Sequence, residues 1–191
     1  MSELTKRTII ENTIALAETK LVRRITVNEI VTRCGITRNT FYYYFHDVYD
    51  VLDSVINDQV AAFNERAAQD GDWDTAIFDC IAFVVSYKKV WLNLYKSFPS
   101  ELFRSTFLAR IQGVIRMYIE TEAGAEALSE EDMYLVSSFY EEAILGVMLR
   151  WLQEANTKVS EEDLKARACR IRQLFKGQLH LLIANSRKEE E

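Results

Sequence analysis

Side chains able to do covalent or metal chemistry are few and scattered. Cys34, Cys80 and Cys169 are odd in number, far apart and free of CxxC spacing, and His46 and His180 are the only histidines. Neither a disulfide framework nor a Cys/His metal site is indicated. Neighbouring acids such as Glu141 and Glu142 diverge by about 100° on a helix and do not converge on one substrate. No nucleophile, metal set or phosphate loop supports them, so an enzyme is not expected, and neither is a cofactor. One stretch stands apart. Thr37-Arg38-Asn39-Thr40-Phe41-Tyr42-Tyr43-Tyr44 concentrates hydrogen-bonding groups of planar reach. Arg38 can donate twice to guanine O6 and N7 and Asn39 can pair with adenine N6 and N7, each bidentate contact being worth about 1–3 kcal/mol of discrimination. Thr37, Thr40 and the tyrosine hydroxyls can bond phosphate oxygens. This is the chemistry of reading a duplex.

Those side chains need two short helices and a turn to hold them. Thr26-Val27-Asn28-Glu29 has the pattern of a capping box, in which the Thr26 hydroxyl accepts from the backbone near Glu29 while Glu29 reaches back. The helix it opens places Val27, Ile30, Val31 and Cys34 inward and stops at Gly35, which suits a left-handed turn. Thr37 caps a third helix to about Phe45. On a helical wheel Phe41 and Phe45 face the core, Asn39, Thr40 and Tyr43 lie opposite, and Arg38, Tyr42 and Tyr44 flank them. The bland alternative for Tyr42, Tyr43 and Tyr44 is an aromatic patch in which one ring seals the core. Ile10, Ile14, Ala17 and Leu21 give a preceding helix from about Thr5 to Lys20. The pair of helices around Gly35-Ile36-Thr37 matches a helix-turn-helix, whose second helix enters the major groove. Thr26 and Thr37 then serve as caps and phosphate contacts, and Lys6 and Arg7 can add contacts.

Charge is divided the same way. Residues 1–46 hold seven Lys/Arg (Lys6, Arg7, Lys20, Arg23, Arg24, Arg33, Arg38) against four acids (Glu3, Glu11, Glu18, Glu29), a local +3, which leaves −9 for the rest of a chain of net charge −6. With 191 residues, 49% hydrophobic, 6 glycines and 1 proline, the chain suits long helices better than turn-rich β structure. Asp47 can cap a fourth helix, Val48 to about Gln69. Asp72-Trp73-Asp74 opens a fifth whose stretch from Ala76 to Phe98 is apolar nearly all round, and Pro99 ends it. A sixth runs to about Glu122. Ser129-Glu130-Glu131-Asp132 and Ser160-Glu161-Glu162-Asp163 open two more, of about 25 residues each. No signal-peptide or membrane-spanning stretch is read, so a soluble cytoplasmic protein is expected.

The order T-V-x-x-I-V-x-x-C-G-I-T-R-x-T-F-Y-x-Y-F over residues 26–45, with apolar Val51-Leu52 after it, resembles the TetR family of bacterial transcription regulators. The string Y-E-E-A-I-L-G-x-x-x-R-W-L from Tyr140 to Leu152 is weakly similar to the branch that includes activators of dihydroxyacetone-kinase operons. The resemblance implies an all-α fold: a DNA-binding domain over residues 1–47, and an effector-binding and dimerisation domain over 48–191 with a connecting helix at 48–70. Carried onto this chain, the DNA contacts fall on Thr26, Thr37, Arg38, Asn39, Thr40, Tyr42, Tyr43 and Tyr44. One departure is His46-Asp47-Val48, where the family usually places lysines around a small residue. His46 can replace one phosphate contact, better when protonated.

For the acidic remainder the resemblance implies an apolar pocket for a small effector of unknown identity, with Tyr87, Trp91, Tyr95, Arg116, Tyr118, Tyr140 and Glu141 as its lining. Core packing is the plain reading of each aromatic. Stripes of Val136, Tyr140, Ala143, Val147 and Trp151, and of Leu164, Ala168, Ile171, Phe175, Leu179 and Leu182, predict a four-helix interface with a second copy. Val136, Ala143, Val147, Trp151, Ile171, Phe175, Leu179 and Leu182 are its expected residues, and His180 beside them reads as a packed or interface histidine. The expected function is a homodimeric, effector-controlled repressor. The alternative is a helical protein-interaction module of co-activator type with weak or lost DNA binding.

Overall fold

The computed structural model describes residues 3–70, 83–123, 128–154, 160–175, 177, 178, 181, 182 and 185. Among these there is helix and no strand. The helices are α1 (Glu3–Ala17), α2 (Val27–Cys34), α3 (Arg38–Tyr44), α4 (Val48–Asp70), α5 (Lys88–Tyr95), α6 (Ser100–Ala123), α7 (Glu130–Glu154) and α8 (Glu161–Phe175), with a 3-10 turn at Val22–Arg24. No helix among the described residues is long and apolar enough to cross a membrane, and no described group of three or more His, Cys, Asp or Glu could hold a metal ion. The chain packs as two units, Met1–Ala62 with Tyr87–Ser100, and Phe63–Ser86 with Glu101–Glu191.

Local signals produce the helix ends. The Thr26 hydroxyl accepts from Glu29 N–H at 3.3 Å and Glu29 Oε2 accepts from Thr26 N–H at 3.0 Å, a complete capping box. Gly35 sits at φ 65°, and Ile36 N–H bonds the Val31 carbonyl at 3.0 Å, closing α2. Asp47 Oδ1 accepts from Asp50 N–H at 2.9 Å to start α4. Ser129 and Ser160 accept from Asp132 and Asp163 N–H, each at 3.1 Å, to start α7 and α8.

In the first unit, α1 packs on α2 and α5, and α2 packs on α3. Ile9, Leu16, Ala17, Ile30, Val31, Phe41 and Phe45 are buried. The inward face of α1 is Ile9–Thr13–Leu16–Ala17, one residue off the Ile10–Ile14 register expected from hydrophobicity. Burying Thr13 is tolerated because its hydroxyl donates to the Ile9 carbonyl at 2.8 Å, so no polar atom is stranded.

The fifth helix differs from expectation. Residues 71–82 lie outside the described residues, 83–86 are helical, and Tyr87 at φ −104°, ψ 25° interrupts the run before α5. α5 belongs to the first unit rather than to the C-terminal helices. Val90, Trp91 and Leu94 are buried there. Asn93 Nδ2 donates to the Ala17 carbonyl at 2.8 Å, and Ser97 Oγ accepts from Arg23 N–H at 3.3 Å. The rings of Tyr49 and Phe98 lie 4.9 Å apart.

In the second unit, Ile115 and Ile119 of α6 pack with Met133 of α7, with Val136, Tyr140 and Ile144 against them. Val85, Trp151, Leu164 and Ala168 form another cluster, joined by Val147 and Ile171. Val136, Val147, Trp151 and Ile171, expected between two copies, are therefore engaged within one chain. An apolar stripe dictates that a face is buried, not against what, and here Val136 and Tyr140 of α7 lie against α6 while Val147 and Trp151 share a cluster with α8. The outward face of α7 carries Leu135, Phe139, Ala143 and Gly146, and Phe175 and Leu182 are also exposed. Leu179, His180 and Cys80 lie outside the described residues. Described α8 runs to Phe175; Gly177 follows at φ 76°, and residues 178, 181, 182 and 185 are helical beyond it.

Candidate nucleic-acid interface

The centre of the interface is α3. Thr37 caps it, its Oγ1 accepting from Thr40 N–H at 3.1 Å and lying 2.9 Å from Thr40 Oγ1. Seven residues make a helix too short to persist alone, so tertiary packing must hold it. Phe41 does this: it is fully buried, 6.1 Å centroid to centroid from Phe45 and edge-on to Tyr42 at 5.6 Å. With that face anchored, Arg38, Asn39, Tyr42 and Tyr43 are exposed, the two tyrosines at 56% and 67%. Tyr44 is half-buried with its ring edge-on to Tyr43 at 5.0 Å, so it presents less of its ring outward than Tyr42 or Tyr43.

The threonines have hydrogen-bond commitments that sequence reading does not reveal. The Thr26 hydroxyl lies 3.0 Å from Glu29 Oε2, to which it donates. It accepts from the backbone as well, so meeting a phosphate requires it to exchange its proton's partner. Glu29 also holds Lys20 Nζ. Lys20 first, then the Thr26 backbone and hydroxyl, lower the Glu29 carboxyl to about 2. Lys20 is thus spent on an internal acid, and it contributes less to the basic surface than a count of charges suggests.

Beyond α3, His46 is exposed and held from one side. Asp50 Oδ2 accepts from His46 N–H at 2.8 Å and lies 3.0 Å from Nδ1. Those two bonds lower the Asp50 carboxyl, so Asp50 stays ionised. An anchored Nδ1–H leaves Nε2 facing outward, a donor only when the ring is protonated. Val48, where a basic residue is expected from the resemblance, is buried beside Val51 and Leu52. The position serves the core. Sequence reasoning missed Asp50; its i+4 spacing from His46 was the available signal.

The residues expected to line an effector pocket divide between the units. Tyr87, Trp91 and Tyr95 lie in the first, Trp91 being buried. Arg116, Tyr140 and Glu141 lie in the second, and the Tyr118 side chain is outside the described residues. Arg116 is exposed and pairs with Glu120 at 2.8 Å and Glu130 at 3.1 Å. Burial raises the Tyr140 hydroxyl above its ordinary pKa.

A family model described as "Bacterial regulatory proteins, tetR family" matches residues 9–55, and one described as "Transcriptional regulator C-terminal region" matches residues 71–173. Seven chains of known structure match. One is a "Dihydroxyacetone kinase operon activator DhaS", with a TM-score of 0.66 at 15% identity, covering 97% of this chain and 98% of that one. At that identity the likeness is one of fold. No curated protein sequence matches.

Proposed function

The chain belongs to the TetR family of bacterial regulatory proteins, a DNA-binding transcription regulator rather than an enzyme, and from this we propose that it acts as a homodimeric repressor released by a small effector. The observation that carries the reading is α3 itself. Its Phe41 side is locked in the core while Arg38, Asn39, Tyr42 and Tyr43 are presented outward, an arrangement that fits base-edge and phosphate contact in a major groove. Thr26, Thr37, Thr40, Tyr44 and His46 complete the contact set. Such a partner implies the compartment that holds the chromosome, the cytoplasm.

Two recognition helices must reach major grooves about 34–36 Å apart, or a near multiple, which one copy cannot do. The outward face of α7 supports pairing: Leu135 and Phe139 supply apolar area, and Ala143 and Gly146 permit close approach. The boundary between the two units falls within α4, between Ala62 and Phe63. This helix is therefore one of three covalent connections, with Ser86–Tyr87 and Ser100–Glu101, by which an effector held in the C-terminal helices can bias the DNA reader. The effector must prefer one state by a coupling free energy, typically about 1–3 kcal/mol.

The experiment is selection of genomic fragments on the purified chain, followed by mobility shifts with Arg38→Ala and Tyr42→Ala. Losing a bidentate base contact worth about 1–3 kcal/mol lowers affinity roughly 5- to 150-fold. Both side chains are exposed, so thermal stability should be unchanged. Affinity should also fall steeply with salt as phosphate contacts are lost. Failure to enrich any sequence would overturn operator binding and favour a module that acts through a protein partner.

A further inference from the structure

The second unit contains a buried acid that its packing leaves unsatisfied. Glu141 is 8% exposed, and its Oε1 has no hydrogen-bond partner among the described residues. Burial first, then the neighbouring Glu142, raises its carboxyl above the ordinary range. Native cores contain few such groups, and each asks for a reason. A groove one turn away on the same helix offers one. A cavity of about 550 Å³ is lined by Ala109, Gln112 and Gly113 of α6 and by Tyr134 and Ser137 of α7, with Arg116 and Glu130 at one end. Ala109 and Gly113 stand one turn apart, and a Cβ built on Gly113 would meet nothing within 4 Å. The room therefore comes from the small residues on that face of α6.

Tyr134, Ser137 and Glu141 follow one another at i, i+3 and i+7 along α7, a single ridge. Glu141 lies one turn beyond Ser137, the last residue of the lining on α7, and on the same buried side of the helix. The Ser137 hydroxyl donates to the Met133 carbonyl, which leaves its lone pairs as acceptors. Arg116, at the far end, is already engaged by Glu120 and Glu130. The inner end of this ridge is consequently a place for a donor, and with a carboxylate there, for a cation.

We propose that the groove between α6 and α7 binds a small organic cation, a primary amine whose ammonium bonds Glu141 and Ser137 and whose carbon chain lies along Ala109 and Gly113. The inference rests on the effector-controlled reading above and gives the effector its chemical class. Without ligand, burial favours the protonated form of the acid. An arriving ammonium pairs with the carboxylate and the proton leaves to solvent, so R–NH₃⁺ and Glu–COOH give the ion pair and one H⁺. Binding therefore tightens as pH rises through the raised Glu141 pKa.

The test uses the full chain and n-hexylammonium as the probe, with 1-hexanol and hexanoate as controls, read by thermal shift and titration calorimetry. Hexylammonium should stabilise the protein and the two controls should not. Affinity should rise with pH through the range in which Glu141 ionises, with proton release there visible as a buffer-dependent heat. Glu141→Gln and Glu141→Leu should each weaken binding at least about tenfold, the scale of a lost charge-assisted hydrogen bond, and abolish the pH dependence. No stabilisation by hexylammonium, equal stabilisation by hexanol, or an unchanged response in both variants would each overturn the site. Operator binding by the same preparations separates the two failures. Variants that hold the operator and still respond to the amine overturn this site alone, whereas a chain without operator binding overturns the regulator reading.

Discussion

Replacing Gly35 by alanine isolates a backbone cost at the turn that joins the two reading helices. Gly35 has φ 65° and ψ 31°, the left-handed region, and its N–H turns back to the Thr32 and Val31 carbonyls. A Cβ there would meet no atom within 4 Å, so the penalty has no packing component. An L-residue in that conformation costs about 1–2 kcal/mol. Against this, alanine reduces the freedom of the unfolded chain, which returns about 0.4–1 kcal/mol. The net loss expected is about 1 kcal/mol, or about 4–8 °C in the melting of a unit of this size. Urea unfolding of the full chain, with the slope held constant, measures it. D-alanine introduced by chemical ligation supplies the control. It accepts positive φ, keeps the unfolded-state gain, and should leave the protein as stable as wild type or slightly more so. Equal stability for L- and D-alanine would refute the conformational argument. A loss in L-alanine above about 3 kcal/mol would show a clash where the structure has open space.

Three further outcomes are expected from side-chain geometry. The Glu29 carboxyl is lowered from 4.5 to about 2 by Lys20 and Thr26, so its contribution is full above 4.5 and disappears as pH falls through about 2. Glu29→Gln should flatten the acid side of the stability curve, and identical acid slopes would contradict the assignment. With Asp50 ionised and holding His46 through its N–H and Nδ1, His46→Ala should weaken operator binding, and an unchanged affinity removes His46 from the interface. Phe139 is 63% exposed and Trp151 is buried against Val85, Leu164 and Ala168. Phe139→Glu should therefore yield a folded monomer by light scattering, whereas Trp151→Ala should cost about 3–5 kcal/mol of stability. A dimer that survives Phe139→Glu would move the interface elsewhere.

What the sequence determined by itself is whatever depends on neighbours a few positions apart. The caps at Thr26, Thr37, Asp47, Ser129 and Ser160 and the turn at Gly35 were all legible, because each is a hydrogen bond or a dihedral closed within one helical turn. So was the outward set Arg38, Asn39, Tyr42 and Tyr43, since the short α3 has one strongly apolar side, at Phe41, and little freedom to rotate around it. Tertiary structure decided the pairings between distant residues. It set the inward face of α1 at Ile9 and Thr13 rather than Ile10 and Ile14, because that face is the one buried where α1 packs on α2 and α5. It joined α5 to α1 through Asn93 and the Ala17 carbonyl, 76 positions apart. It turned the Val136–Trp151 stripe toward the chain's own helices and left Glu141 Oε1 buried without a hydrogen-bond partner among the described residues. Periodicity states that a face must be buried; which surface buries it, and which polar atom is left over, depend on long-range packing that no local spacing encodes.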